Sequence, residues 1–281
     1  MLRVDTYPID PQHFRMSDMT VHKRQMGMSL IEILVVISTS AALMGILLPS
    51  LGGARKQAQR TVCLNNLRQM TLAAHAYCAV YDDHYPLAFY TERVNGVRRY
   101  LAWDLSTWKD WNVPEPINHI APGLLWMGQS VEKVQQCPVF KRPANWFEDP
   151  YTGYNYNTSF IGRNETVHPV HSARSTEVRF PAKTALFGDG EYANGANKFM
   201  RAPLSNPRDA SFSDSSRHGG VQGFRHLNTT SVSFCDGHAQ FLRGVYTDTS
   251  PESKAILDEY NQNEETRIGF LSVDNRLYDL K

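Results

Sequence analysis

From Ser29 to Leu51 the chain is apolar at almost every position (SLIEILVVISTSAALMGILLPSL), and Glu32 is the one charge in the run. About 20 such residues, rising 1.5 Å each, cover a hydrocarbon layer of ~30 Å. The apolar region of a secretory signal is usually only ~7–15 residues and leads into small residues at a cleavage site. Here the basic stretch ARKQAQR follows instead. The pattern predicts a membrane span over 29–51. Beyond Pro49, Cys63, Leu67, Met70, Ala74, Tyr77 and Tyr81 recur at alternating spacings of four and three, which lines them along one helical face. One helix over 28–81 would be roughly 80 Å long, more than a compact domain needs. Its expected end is Asp82-Asp83-His84-Tyr85-Pro86, because proline biases the preceding residue away from helix.

The pattern then changes to strands and turns. Asn95-Gly96 separates LAFYTERV from VRRYLAW, a hairpin signal because both residues tolerate positive φ. Asp236-Gly237 separates SVSF from HAQFL in the same way, and Asp189-Gly190 is expected to close a strand over TALF. Ser250-Pro251 reads as the capped start of a helix reaching Asn261. A long helix followed by antiparallel sheet is an α+β class.

Composition changes this picture little. Lys plus Arg number 29 and Asp plus Glu 28, so the near-neutral chain has no overall field to attract nucleic acid. Its 281 residues suffice for a sizeable core. Trp103, Trp108 and Trp111 are expected mainly in packing, with a sugar- or protein-binding surface as the alternative.

The start of the span carries the sharpest motif, Gly27-Met28-Ser29-Leu30-Ile31-Glu32, preceded by Lys23 and Arg24. A carboxylate inside a membrane helix costs about 2.5–3.5 kcal/mol on insertion scales and needs a cation. The string resembles the processing site of type IV prepilins and type II secretion pseudopilins. That resemblance implies a leader over 1–27, cleavage after Gly27 by a prepilin peptidase, and methylation of the Met28 amine. It implies that Glu32 pairs with the amine of a neighbouring subunit, and that Pro49 stands where such helices often kink. Family members usually have Phe where Met28 stands. Counting Arg55, Lys56, Arg60 and Arg68 after the span would leave the bulk of the chain in the cytoplasm. The resemblance implies the opposite: a cytoplasmic N-terminus, one pass through a bacterial inner membrane, and an extracytoplasmic globular domain over 82–281.

A second set of residues resembles a pseudopilin subgroup with a C-terminal His-x9-Asp-Gly motif. The chain has Cys63-Leu64-Asn65-Asn66-Leu67-Arg68-Gln69, Cys137-Pro138 and Tyr154-Asn155-Tyr156, then His226 nine residues before Asp236-Gly237. The leading expectation is structural: Asp236-Gly237 is a turn, which His226 would orient by a hydrogen bond. The alternatives are a metal site or a catalytic site, since Asp189, Glu191, His226, Asp236 and His238 are of ligand-forming types. Tight pairs such as Cys-x2-Cys are missing. Calcium enters only through the resemblance, because major pseudopilins often hold it in this part of the fold. Cys63 and Cys78, fifteen residues apart on one helix, lie about 22 Å apart by helical rise and cannot bridge. Cys63 on the core stripe is within reach of Cys137, as a disulfide or as two buried thiols.

The reading that follows is a non-enzymatic, pilin-like structural subunit. Its partners would be the prepilin peptidase, other pilin or pseudopilin subunits, the membrane and secreted cargo. A tethered binding module that never polymerises is a second class, and a metal-dependent enzyme around His226 and Asp236 a third.

Overall fold

The computed structural model describes residues 28–110, 117–129, 132–142, 151–163, 171–206 and 213–281. Gly27, the leader and Trp111 lie outside the described residues. The chain divides into two units at Ser50/Leu51, and helix α1 (Leu30–Val80) contributes to both.

In the first unit, every residue of α1 is exposed. This part of the helix is long and apolar enough to cross a membrane. Several of its hydroxyls are satisfied within the helix, which suits a lipid environment. Ser38 and Thr39 hydroxyls each donate to the Val35 carbonyl at 2.9 Å, and Ser50 donates to that of Leu47 at 2.8 Å. At the first turn the Ser29 N–H donates to Glu32 Oε2 at 2.7 Å. Glu32 thus supplies the return bond of a capping box, while Ser29 Oγ accepts from the Ile31 N–H at 3.4 Å.

The second unit is α+β, as the turn chemistry predicts. Four strands form an antiparallel meander: β1 (Phe89–Val94), β2 (Val97–Ala102), β3 (Leu105–Asp110) and β4 (Ile117–Pro122). Asn95 and Gly96 join the first two with φ of 53° and 80°, both positive as a type I′ turn demands. The short helix α2 (Glu132–Gln135) leads into the Cys137 segment.

The central sheet is built from β5 (Asn155–Asn157), β6 (Ala185–Gly188), β7 (Phe199–Met200), β9 (Thr230–Phe234) and β10 (Ala239–Leu242), in the order β10-β9-β6-β5-β7. One pair departs from the antiparallel expectation, since β5 and β7 run parallel. The remaining two strands, β8 (Gln222–Gly223) and β11 (Ile268–Gly269), pair beside helix α3 (Pro251–Asn263). Ser250 caps α3 by accepting from Ser253 N at 3.3 Å, and Pro251 fills the first turn. The helix runs two residues past the expected Asn261.

From Cys63 onward, α1 packs into this core. Its buried positions are Cys63, Asn66, Leu67, Met70, Thr71, Ala74 and Cys78. The stripe therefore follows the expected one until its last turn, where Cys78 is buried and the half-buried Tyr77 stacks on the exposed Tyr81. Strict four–three spacing advances slightly less than the helix turns, so the seam moves to a neighbouring position. Hydrogen bonds fix the register against β9 and its turn: Thr71 donates to Ser233 Oγ at 2.8 Å, and His75 Nε2 lies 2.9 Å from the Cys235 carbonyl. The helix stops earlier than Pro86 requires. Asp82 and Asp83 take positive φ of 49° and 63°, and Asp83 N–H closes back on the Cys78 carbonyl at 3.0 Å, a Schellman-type end.

The meander joins the central sheet through Trp103 and Asp104 at the β2–β3 connection. Trp103 is buried against Tyr156 and Phe187 and donates its indole N–H to the Lys198 carbonyl at 3.1 Å. The Lys198 ammonium is itself buried against the Asp104 carboxylate.

Candidate metal centre

Four segments distant in sequence meet beneath α1. Helix α1 supplies Cys63, and the segment after α2 supplies Cys137, whose N–H donates to the Thr152 carbonyl at 3.1 Å. Asp189 directly follows β6, and its Oδ2 accepts from the Ser231 N–H at 2.5 Å. His226 opens a tight turn before β9, in which His226 and Thr229 exchange two backbone hydrogen bonds of 3.1 Å.

The side chains converge to a common point. Cys63 Sγ lies 3.2 Å from Cys137 Sγ, Cys137 Sγ 3.6 Å from His226 Nε2, and His226 Nε2 3.5 Å from Asp189 Oδ1. All four donor atoms fall within 4.8 Å of one another, and all four residues are buried. Among the described residues this is the one group of three or more His, Cys, Asp or Glu side chains that meets that spacing. The sulfurs are farther apart than the ~2.05 Å of a disulfide, and both cysteines are free thiols here.

Glycine makes the approach possible. Gly153 has φ of 105°, and a Cβ there would sit 2.6 Å from Cys137 Cβ and 2.9 Å from Phe140 Cβ. Tyr154 beyond it accepts from Asn66 Nδ2 at 3.1 Å, one helical turn after Cys63.

Arg225 is the cation of the site. Its guanidinium donates to Asp189 Oδ1 at 3.3 Å, to Glu191 Oε2 at 3.1 Å and, through Nε, to Cys137 Sγ at 3.5 Å. It also bonds the Gly153 carbonyl and lies 5.0 Å from the Phe140 ring centroid. Glu191 is tied outward to Arg142 at 3.6 Å.

These contacts set the protonation of the group. Burial alone would raise Cys137, but its bonds with Cys63, Arg225 and His226 outweigh that and hold it well below the ordinary thiol value. Cys63 is raised, first by its hydrogen bond to Cys137 and then by burial. Burial would lower His226, yet the Asp189 carboxylate and Cys137 lift it to about 9. Asp189 is lowered, since His226 and Arg225 overcome its burial. At Glu191 burial prevails over both arginines, and the carboxyl is raised. The arrangement concentrates soft and anionic donors around one point in the core.

The other candidates named from sequence lie elsewhere. Asp236 and Gly237 form the β9–β10 turn, with φ of 95° at the glycine. Asp236 Oδ1 accepts from the His238 N–H at 3.0 Å and lies 2.6 Å from His238 Nδ1, and that ring stacks on Phe234. His226 cannot orient this turn, because the whole of β9 separates them; its ring meets Cys137 and Asp189 instead. The nine-residue spacing is therefore a strand with a turn at each end. Asp189-Gly190 follows the end of β6 at Gly188, as expected; Gly190 then bridges to Gln222, and the Asp189 side chain enters the site. Calcium is not favoured here, since it takes six to eight oxygen ligands and two of the four donors are sulfur.

No curated protein and no solved structure matches this chain. Residues 53–124 match a family model, SBP_bac_10, described as a protein of unknown function (DUF1559). That stretch covers the later turns of α1 and the four-stranded meander; it contains Cys63 and ends before Cys137, Asp189 and His226.

Proposed function

We propose that the chain is a pilin-like structural subunit, cut after Gly27 by a prepilin peptidase and anchored in the bacterial inner membrane by the apolar turns of α1. Its N-terminus faces the cytoplasm and its globular domain the extracytoplasmic side. There it joins other pilin or pseudopilin subunits in a secretion pseudopilus or pilus-like filament, with secreted cargo as a further partner. It performs no catalysis.

One observation carries this reading: the first turns of α1 expose leucine, isoleucine and valine on every face while a carboxylate stands in the first turn. Each such side chain forgoes about 1.5–3 kcal/mol if left in water, so the segment needs lipid or neighbouring helices around it. Glu32 is satisfied by the Ser29 N–H of its own helix, and this bond can be exchanged for an amine of a neighbouring subunit.

Glu32→Gln separates the two roles of the residue, because an amide oxygen still accepts from Ser29 but carries no charge. Both Glu32→Gln and Glu32→Ala should be processed and inserted normally, yet drop out of sheared or sedimented filaments. Wild-type incorporation of Glu32→Gln would mean that no charge pairing operates, whereas a wild-type chain that is itself missing from the filaments would make a tethered module that does not polymerise the better account.

A further inference from the structure

We infer that Cys63, Cys137, Asp189 and His226 bind one zinc ion, and that this ion fastens α1 to the globular domain. The inference stands on the geometry of the head and does not depend on the pilin reading.

The donor set is the first argument. Two thiolates, one imidazole and one carboxylate are ligands that zinc accepts in a four-coordinate site. Zinc lies about 2.3 Å from sulfur and about 2.0–2.2 Å from nitrogen or oxygen, so tetrahedral ligand atoms stand roughly 3.4–3.8 Å apart. The observed neighbours are at 3.2, 3.6 and 3.5 Å. The other pairs lie within 4.8 Å, so a movement of at most about 1 Å would close them to tetrahedral spacing around an ion.

Charge is the second argument. Two thiolates and Asp189 carry three negative charges, zinc supplies two positive, and the buried Arg225 supplies the third. Glu191 adds a further negative charge, which Arg225 at 3.1 Å shares with Arg142 at 3.6 Å, so the arginines and the ion together balance the four anionic groups. A buried anion is costly unless paired and hydrogen-bonded, and here the ion completes a neutral core. Arg225 also orients Asp189 and Cys137 from outside the ligand set, as second-shell donors do at metal sites.

Burial is the third. All four ligands are enclosed and no coordination position is left for substrate, which marks a structural centre. The ligands come from α1, the segment after α2, the end of β6 and the turn before β9, so one ion crosslinks the helix to three parts of the head.

The test uses the full-length chain purified in detergent without added metal, with zinc and thiols measured on the same sample. About one zinc per chain is expected. Cys137→Ser and His226→Ala should each lower zinc affinity at least about tenfold in competition with a chelator, the least that even a residue outside the ligand set typically costs. Cys78→Ser and Cys235→Ser, which alter the two cysteines outside the cluster, should retain it.

Should the ligand variants aggregate, the wild-type chain stripped by chelator and titrated with cobalt(II) gives the same answer. Thiolate-to-cobalt charge transfer and intense tetrahedral ligand-field bands should saturate at one equivalent. Three results would overturn the inference. These are a metal-free chain whose Cys63 and Cys137 resist alkylation until reduced, a reduced chain giving no such cobalt spectrum, or unchanged zinc in the ligand variants. The first would make the pair a disulfide.

Discussion

Gly153 and Leu227 show how single backbone positions hold the buried cluster together. Alanine at 153 would need a positive φ and would press its Cβ on Cys137. Overpacking of that kind costs about 1–3 kcal/mol, and a left-handed residue about 1–2 more. Gly153→Ala should therefore lower stability by about 2–5 kcal/mol in urea unfolding; an unchanged midpoint would contradict the contact. Leu227 and Asn228 take φ of 54° and 59° between His226 and Thr229, and Leu227 is exposed. Asparagine tolerates that region and leucine does not. Leu227→Asn should raise stability by up to about 1 kcal/mol, visible as a higher melting temperature, and a lower one would count against strain in the turn. At this scale the sequence names the right residue types but cannot assemble them. Cys63 and Cys137 are 74 positions apart, and Cys137 and His226 are 89. Arg225 passes unnoticed because nothing local distinguishes a buried cation from a surface one. The Ser29–Glu32 bond, by contrast, spans three residues and depends on nothing distant.

Elements governed by local chemistry are those that sequence places well. Asn95-Gly96, Asp236-Gly237 and Ser250-Pro251 each fix their turn or cap with no help from distant residues. The end of α1 depends on two aspartates in the left-handed region, which a rule about Pro86 does not see. The parallel β5–β7 pair depends on packing across the core, and no periodicity encodes it. The docking of the meander rests on another long-range pair, Asp104 with Lys198. Removing one partner of a buried ion pair leaves an uncompensated charge and costs about 3–5 kcal/mol, whereas an apolar replacement of both is often neutral. Asp104→Ala should destabilise by about that amount in chemical denaturation, and the double variant Asp104→Leu with Lys198→Met should recover most of the loss. Equal losses in both would show that the charges themselves do not matter. Likewise Leu67→Ala, which deletes fully buried atoms on the core face of α1, should cost about 2–5 kcal/mol. A loss below about 1 kcal/mol, the range of volume-conserving swaps, would mean that this face is loosely packed.

For the whole molecule, the long helix gives α1 two chemical environments along its length: apolar and exposed through its first turns, and part of a protein core from Cys63 onward. The change is legible in the sequence because continuous apolarity gives way to a one-sided stripe. The α+β class of the globular part follows from its turns. The internal crosslink that we assign to zinc is legible only in pieces: the sequence pairs Cys63 with Cys137 and offers Asp189 and His226 as ligand types, but only the fold brings the four together. The membrane and assembly reading rests on Gly27, Met28 and Glu32, so processing is where it is most exposed to test. Intact-protein mass spectrometry after co-expression with and without a prepilin peptidase addresses that directly. The account predicts a peptidase-dependent mature chain that begins at Met28 and is heavier by one methyl group. An uncut chain, or one cut after the apolar run, would contradict it.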